Sequence, residues 1–246
     1  MPKILHFGVG NFFRAHLAAY TNGLEEWEIL GVSLRAPGVR DGLSAQGYEY
    51  TLAVQGQSAI RIAAMTQILV APEDPRAVLD AVVDPDVEIL SLTVTEKGYH
   101  LDAKGQLDLE DPAISFDLKS DFPQTTIGYL ARGLARRGTP LTVLSCDNRL
   151  GNGAALESAV RAFASQSNLE VNWENLSFPN SMVDRITPAT TDALRVKFDD
   201  PMVVPTEPFS EWVIEDRFVG MRPNWDGVQF VQDVGPHEMR KLRMLN

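Results

Sequence analysis

Residues 3–16 read Lys-Ile-Leu-His-Phe-Gly-Val-Gly-Asn-Phe-Phe-Arg-Ala-His, and the class of fold follows from them. Lys3 to Gly8 is a short apolar run closed by glycine, which predicts a buried strand. From Asn11 to Leu24 apolar residues recur at helical spacing, with Phe12, Ala15, Leu17 and Ala19 expected to face inward. Trp27 to Leu34 is a second apolar run. Strand, helix and strand in that order predict parallel strands joined by a crossover. Gly8 and Gly10 fall at the first junction. There Gly8 would allow a tight turn, and Gly10 would let a pyrophosphate approach the backbone at the helix N-terminus. The third position of the G-x-G-x-x-G pattern is Phe13, so the fingerprint is incomplete. The turn residues Gly8, Gly10, Asn11 and Phe12 are candidate contacts for a dinucleotide.

Working outward, Tyr48 to Val54 and Ala59 to Leu69 flank Gln55-Gly56-Gln57-Ser58, which predicts an inserted hairpin. Asp74 to Val83 predicts a helix capped by Asp74 with Pro75 in its first turn. Val87 to Thr93 predicts a buried strand, and the polar stretch Asp102 to Pro123 an exposed excursion. Thr125 to Gly138 predicts a helix with arginines in its last turns, Leu141 to Leu144 a strand, and Asn152 to Gln166 a long amphipathic helix. After residue 170 the alternation weakens among several prolines, leaving strand-like runs at Glu211 to Glu215 and Gln229 to Val234. Pro236 to Asn246 begins a further helix. The expected architecture is α/β, Rossmann-like, with a mainly parallel sheet and an inserted β-hairpin.

The composition narrows the chemistry. The 246 residues include 33 acidic and 22 basic side chains, for a net charge of −11, and no basic run, which argues against nucleic acid as a partner. One cysteine and four scattered histidines (6, 16, 100, 237) offer neither a disulfide framework nor zinc-ligand spacing. No apolar stretch approaches the roughly 20 residues of a membrane span, so no membrane partner and a cytoplasmic location are expected. A Tyr-x-x-x-Lys pair is absent, because none of the five tyrosines is followed by lysine at that spacing.

Polar clusters follow successive strands. Thr95-Glu96-Lys97-Gly98-Tyr99 comes after the strand ending near Val94, and ligands of open parallel sheets bind beyond such ends, so Glu96 is a candidate contact. Ser145-Cys146-Asp147-Asn148 occupies the same kind of position, although Asp147 or Asn148 capping the next helix is the ordinary explanation. The acidic residue that usually holds the adenosine ribose at the end of the second strand is missing from Ser33-Leu34-Arg35. Arg35 suits a 2′-phosphate, adenine stacking or plain solvation, so NAD against NADP stays open. In the terminal helix Lys241, Leu245, Glu238, Leu242 and Asn246 share one arc of roughly 140°. Two leucines suggest that this arc faces protein, and a partly desolvated lysine can act as a general base on an alcohol. The competing reading is a Glu238–Lys241 surface pair.

Taken together these segments, with residues 178–186 (Phe-Pro-Asn-Ser-Met-Val-Asp-Arg-Ile), 211–215 (Glu-Trp-Val-Ile-Glu) and 241–246 (Lys-Leu-Arg-Met-Leu-Asn), resemble the mannitol dehydrogenase family. These long-chain polyol dehydrogenases include mannitol 2-dehydrogenases and fructuronate and tagaturonate reductases. The resemblance implies metal-independent hydride transfer between a nicotinamide cofactor and a polyol or a sugar-acid alcohol. It implies Lys241 as general base, Asn246 and Asn148 as amides on the substrate oxygen, Glu238 as an aid to proton exit, and Asp184 near nicotinamide and substrate. The family's Lys-x4-Asn-x2-His motif would continue past Asn246. Residues 1–235 are therefore expected to form the dinucleotide-binding domain, and 236–246 to open a truncated helical substrate domain. Alternatives are a fructuronate reductase and a non-catalytic cofactor-binding fragment.

Overall fold

The computed structural model describes residues 1–244, so Leu245 and Asn246 lie outside the described residues. The chain opens with β1 (Lys3–Phe7), followed by α1 (Asn11–Ala15), α2 (Leu17–Thr21) and β2 (Glu28–Ser33). The single helix expected from Asn11 to Leu24 is broken at His16, whose φ of −111° and ψ of −96° are not helical. Its ring lies among Phe12, Tyr20 and Trp212, a tertiary contact that spacing does not reveal. Phe13 rather than Phe12 is fully buried, stacked on His6 with ring centroids 3.8 Å apart. The third fingerprint position thus holds a side chain that packs inward beneath the turn.

Next come α3 (Gly38–Ser44), β3 (Tyr50–Val54), β4 (Ile60–Ile62) and β5 (Met65–Val70). β3 and β4 form the expected antiparallel hairpin, but the run Ala59 to Leu69 is split. Its second part leaves the hairpin and pairs in parallel with β2. Asn22 sits at the break, donating to the Arg61 carbonyl and accepting from the Ala63 amide. α4 (Pro75–Val83) has the expected Asp74 cap and leads to β6 (Val87–Leu92).

A 3-10 turn (Glu96–Tyr99) follows β6, and the excursion expected to be exposed contains α5 (Pro112–Asp117). Asp117 is fully buried and accepts from the Gln124 and Thr125 amides and the Thr125 hydroxyl, which fixes the entry to α6 (Thr126–Leu134). α6 stops before Arg136 and Arg137. Arg137 is buried and donates to the carbonyls of Val82, Asp84, Val87, Thr139 and Pro140, stapling loops rather than complementing a helix dipole.

β7 (Leu141–Ser145) and α7 (Asn152–Gln166) follow as expected. The weakly patterned remainder contains β8 (Leu176–Ser177), β9 (Ser181–Asp184), α8 (Asp192–Phe198), β10 (Val204–Thr206), β11 (Glu211–Glu215), β12 (Gln229–Val231) and α9 (Gly235–Met244). The main sheet is six-stranded and wholly parallel, in the order β5-β2-β1-β6-β7-β8. Two three-stranded sheets accompany it, β10-β3-β4 and β12-β11-β9. One large core cluster includes Leu5, Phe7, Leu90, Leu130 and Phe163, and a second includes Ile4, Phe13, Tyr50 and Trp212. In the main sheet, strand order reverses between β1 and β6, and the carboxyl ends of those neighbours frame the crevice where such folds place ligands.

Candidate active site

A cleft of about 800 Å³ opens at this reversal, lined among others by Gly8, Gly10, Arg35, Thr93, Thr95 and Thr125. Gly8 has φ +100°, and a Cβ there would lie 2.2 Å from the Thr93 carbonyl oxygen. Only glycine fits a turn that is both left-handed and this close to a neighbouring strand. Gly10 differs: its φ is −72° and ψ −177°, which any residue adopts, and a Cβ there would meet nothing within 4 Å. Gly10 keeps open the space at the start of α1, beside the cleft.

Behind this turn, Thr93 Oγ1 donates to the Gly8 carbonyl at 2.8 Å. Its only proton being committed, Thr93 accepts from His6 Nε2 (3.0 Å), so His6 Nδ1 accepts from Ser91 (2.8 Å). Burial pushes the pKa of His6 down to about 3, with a smaller opposing effect from the Gly8 carbonyl. His16 is likewise pushed down to about 3, by burial first and then by nearby Arg185, His6 and Lys241. Both rings are neutral parts of the interior at physiological pH.

The predicted cofactor contacts are distributed unevenly. Gly8, Gly10 and Arg35 line the cleft, whereas Asn11, Phe12, Glu96 and Asp184 are not among its lining residues. Asn11 is committed to Thr190 and Arg14, and Phe12 stacks against His16. Glu96 is exposed in the 3-10 turn. Among the described residues, no Asp or Glu lines the cleft, including the end formed by Ser33, Leu34 and Arg35.

A second cluster forms beyond β7 and β9. Lys241 Nζ, carried by α9, donates to Asn148 Oδ1 at 3.0 Å and to the Val183 carbonyl at 2.6 Å, with Asp184 Oδ1 at 3.5 Å. Glu238, one turn earlier, accepts from the Gly151 amide at 3.1 Å. Glu238 and Lys241 thus reach separate partners instead of forming the surface pair. The terminal arc is not buried throughout, since Leu242 is 37 % exposed. Asn246, expected to supply a companion amide, lies outside the described residues. Because an ammonium only donates, Asn148 must present its oxygen to Lys241, which leaves Nδ2 to donate elsewhere.

Neither Asp147 nor Asn148 caps α7, whose N-cap is Gly151 without a side-chain bond. Asp147 turns instead to the neighbouring strand end and accepts from the Val94 and Thr95 amides at 3.2 and 2.9 Å. Asn152, in the first turn of α7, is fully buried. It donates to the carbonyls of Ser145, Asp147 and Ser181 and accepts from the Ser181 amide. No site role was predicted for this hub, because along the chain Asn152 reads only as the first residue of the amphipathic helix Asn152 to Gln166.

Taking the parallel strands in chain order, the main sheet runs third, second, first, fourth, fifth, sixth, with a glycine turn at the reversal. These features define a Rossmann-like α/β domain. Residues 2–227 match the mannitol dehydrogenase Rossmann domain, and the chain belongs to the mannitol dehydrogenase family. It is 41 % identical to the polyol:NADP oxidoreductase of Gluconobacter oxydans, covering 100 % of this chain and 56 % of that protein. It is 42 % identical to a mannitol 2-dehydrogenase of Pyrenophora tritici-repentis, covering 99 % of this chain and 49 % of the relative. The solved mannitol 2-dehydrogenase of Pseudomonas fluorescens, a ternary complex with NAD and D-mannitol, superimposes with a TM-score of 0.88 at 39 % identity. That match covers 98 % of this chain and 55 % of the other. The chain spans about half the length of the curated relatives it matches.

Proposed function

We propose that the chain is the cofactor-binding part of a mannitol 2-dehydrogenase-like oxidoreductase, interconverting a secondary alcohol of a polyol and the corresponding ketose. The observation that carries this is the empty space at Gly10, beside a glycine turn at the sheet's reversal, with an amide and a lysine paired beyond a nearby strand end. The residues fit a nicotinamide dinucleotide. Gly8 and Gly10 admit the pyrophosphate, Arg35 lies toward the adenosine end, and Thr93 to Thr95 form a wall of the cleft. Asn11, Phe12 and Glu96 are proposed as contacts on the resemblance alone. NAD is the expected cofactor, and Arg35 leaves room for NADP. When bound, that cofactor supplies the hydride acceptor or donor.

The remaining chemistry belongs to the chain. Lys241 Nζ takes the hydroxyl proton during oxidation and returns it during reduction. Asn148 fixes the direction of that amine through Oδ1 and offers Nδ2 to the substrate oxygen, where negative charge develops. Asn246 is assigned the companion amide, and Asp184 a place beside the reacting carbon. Glu238, anchored by the Gly151 amide, carries the proton onward to solvent. Residues 1–235 would form the cofactor unit, and 236–246 would open a helical unit with further substrate contacts.

The test is a substrate panel on the full-length protein, followed through nicotinamide absorbance, with mannitol and arabinitol against fructuronate. Polyol-dependent reduction of the cofactor supports the proposal. Turnover confined to the uronate would move the assignment to a hexuronate reductase, and no turnover with any of them would count against the catalytic reading.

A further inference from the structure

Thr95, which lines the cleft, has φ +66° and ψ 168°, a backbone region that residues with a Cβ rarely occupy. Such a conformation persists only where surrounding groups impose it. Its amide donates to Asp147 Oδ1, and the preceding Val94 amide donates to Oδ2 of the same carboxylate. Asp147 is itself 7 % exposed, so its charge is held in an interior that penalises it. Burial raises its pKa, and the two peptide N–H groups oppose that rise. A strained residue and a buried carboxylate therefore meet at one point, where the cofactor cleft borders the lysine cluster.

We propose that Asp147 is a positioning residue that shapes the cleft wall and fixes its distance from Lys241. The inference rests on the cofactor reading above. The carboxylate holds Val94 and Thr95 on one side, while the adjacent Asn148 holds Lys241 on the other. The Asp147 main chain is anchored in turn. Its amide donates to Ser145 Oγ at 3.2 Å, and its carbonyl accepts from Asn152 Nδ2 at 3.0 Å. Asn152 also bonds both backbone groups of Ser181 in β9, the strand whose Val183 carbonyl receives Lys241. One hydrogen-bonded frame thus sets the spacing between a dinucleotide lying against Thr95 and an alcohol presented to Lys241. Productive hydride transfer depends on that spacing.

The experiment is a fluorescence titration of NADH and NADPH into the unsubstituted protein, Asp147→Asn, and Asp147→Asn combined with Thr95→Gly. Circular dichroism and a melting curve accompany each variant. The asparagine keeps one acceptor oxygen but turns an NH2 group toward the other peptide N–H. Cofactor affinity should fall at least about tenfold, the loss of one charge-assisted hydrogen bond. Glycine adopts positive φ without strain, so Thr95→Gly should return affinity to within about threefold of the original. If Asp147→Asn alone does not fold, a folded double variant that binds the cofactor supports the same conclusion. A folded double variant that stays weak overturns it, because the carboxylate would then act otherwise than by holding the turn. Unchanged binding by Asp147→Asn overturns the inference and leaves the cofactor reading intact. No saturable binding by the unsubstituted protein removes the cofactor reading itself, and the inference with it.

Discussion

Two glycines two residues apart should separate stability from binding when each is replaced by alanine. At Gly8 the new Cβ would lie 2.2 Å from the Thr93 carbonyl oxygen and 3.2 Å from its hydroxyl. Thr93 cannot retreat freely, since its amide is bonded to the Phe7 carbonyl across the β1–β6 ladder. A side chain in the left-handed region costs about 1–2 kcal/mol, and forcing volume into a packed site adds about 1–3 kcal/mol. Gly8→Ala should therefore lose roughly 2–5 kcal/mol in total. For a domain of this size that lowers Tm by roughly 5–15 °C. At Gly10 the backbone is extended and the Cβ would enter open space, so Gly10→Ala should stay within about 1 kcal/mol of the parent. It should instead weaken NADH about tenfold or more, because a methyl group stands where the pyrophosphate approaches. Differential scanning fluorimetry reads the first effect and NADH titration the second. Unchanged Tm in Gly8→Ala, or unchanged NADH affinity in a folded Gly10→Ala, would refute the reasoning.

Other outcomes follow from the same geometry. In the full-length protein, Lys241→Ala should cut kcat for polyol oxidation by about a hundredfold or more while cofactor affinity stays within a few-fold; rates close to the parent's would return Lys241 to a structural role. Arg35→Ala should weaken NADPH more than NADH, since among the described residues no carboxylate lines the cleft to repel a 2′-phosphate and Arg35 is a cleft-lining cation. Equal losses for the two cofactors would point to adenine stacking. The buried neutral rings of His6 and His16 have folded pKa values below that of a free imidazole, so the unfolded chain takes up protons first as pH falls. These two rings should leave stability unaffected above about pH 6.5. Between there and about 3 it should fall by roughly 1.4 kcal/mol per unit for each ring. His16→Phe should remove one ring's share of that slope, and an identical acid limb in urea unfolding at several pH values would contradict this.

The features legible in the sequence are local ones. The Gly8–Gly10 turn, the Asp74 cap with Pro75, and the apolar strands Val87–Leu92 and Leu141–Ser145 each depend on a few adjacent residues. The departure of β5 from the hairpin was hidden, because both its possible partners suit an apolar strand and only the packed sheet selects β2. β10 pairs with β3 from about 150 residues away, a register that no pattern within either strand encodes. Phe12 and Phe13 are equally apolar, and only the ring of His6 beneath the turn distinguishes the buried one. At the site, Asp147 resembled an ordinary helix cap. Its turn toward Val94 and Thr95 depends on the neighbouring strand, which is invisible along the chain.

The central claim is that the crevice between β1 and β6 holds a nicotinamide dinucleotide. Its most direct test is titration of the unsubstituted protein with NADH, following the nicotinamide fluorescence. The expected result is saturable binding of one cofactor per chain, displaced by NAD and weakened by Gly10→Ala. A flat titration, or a saturable one indifferent to Gly10, would contradict it.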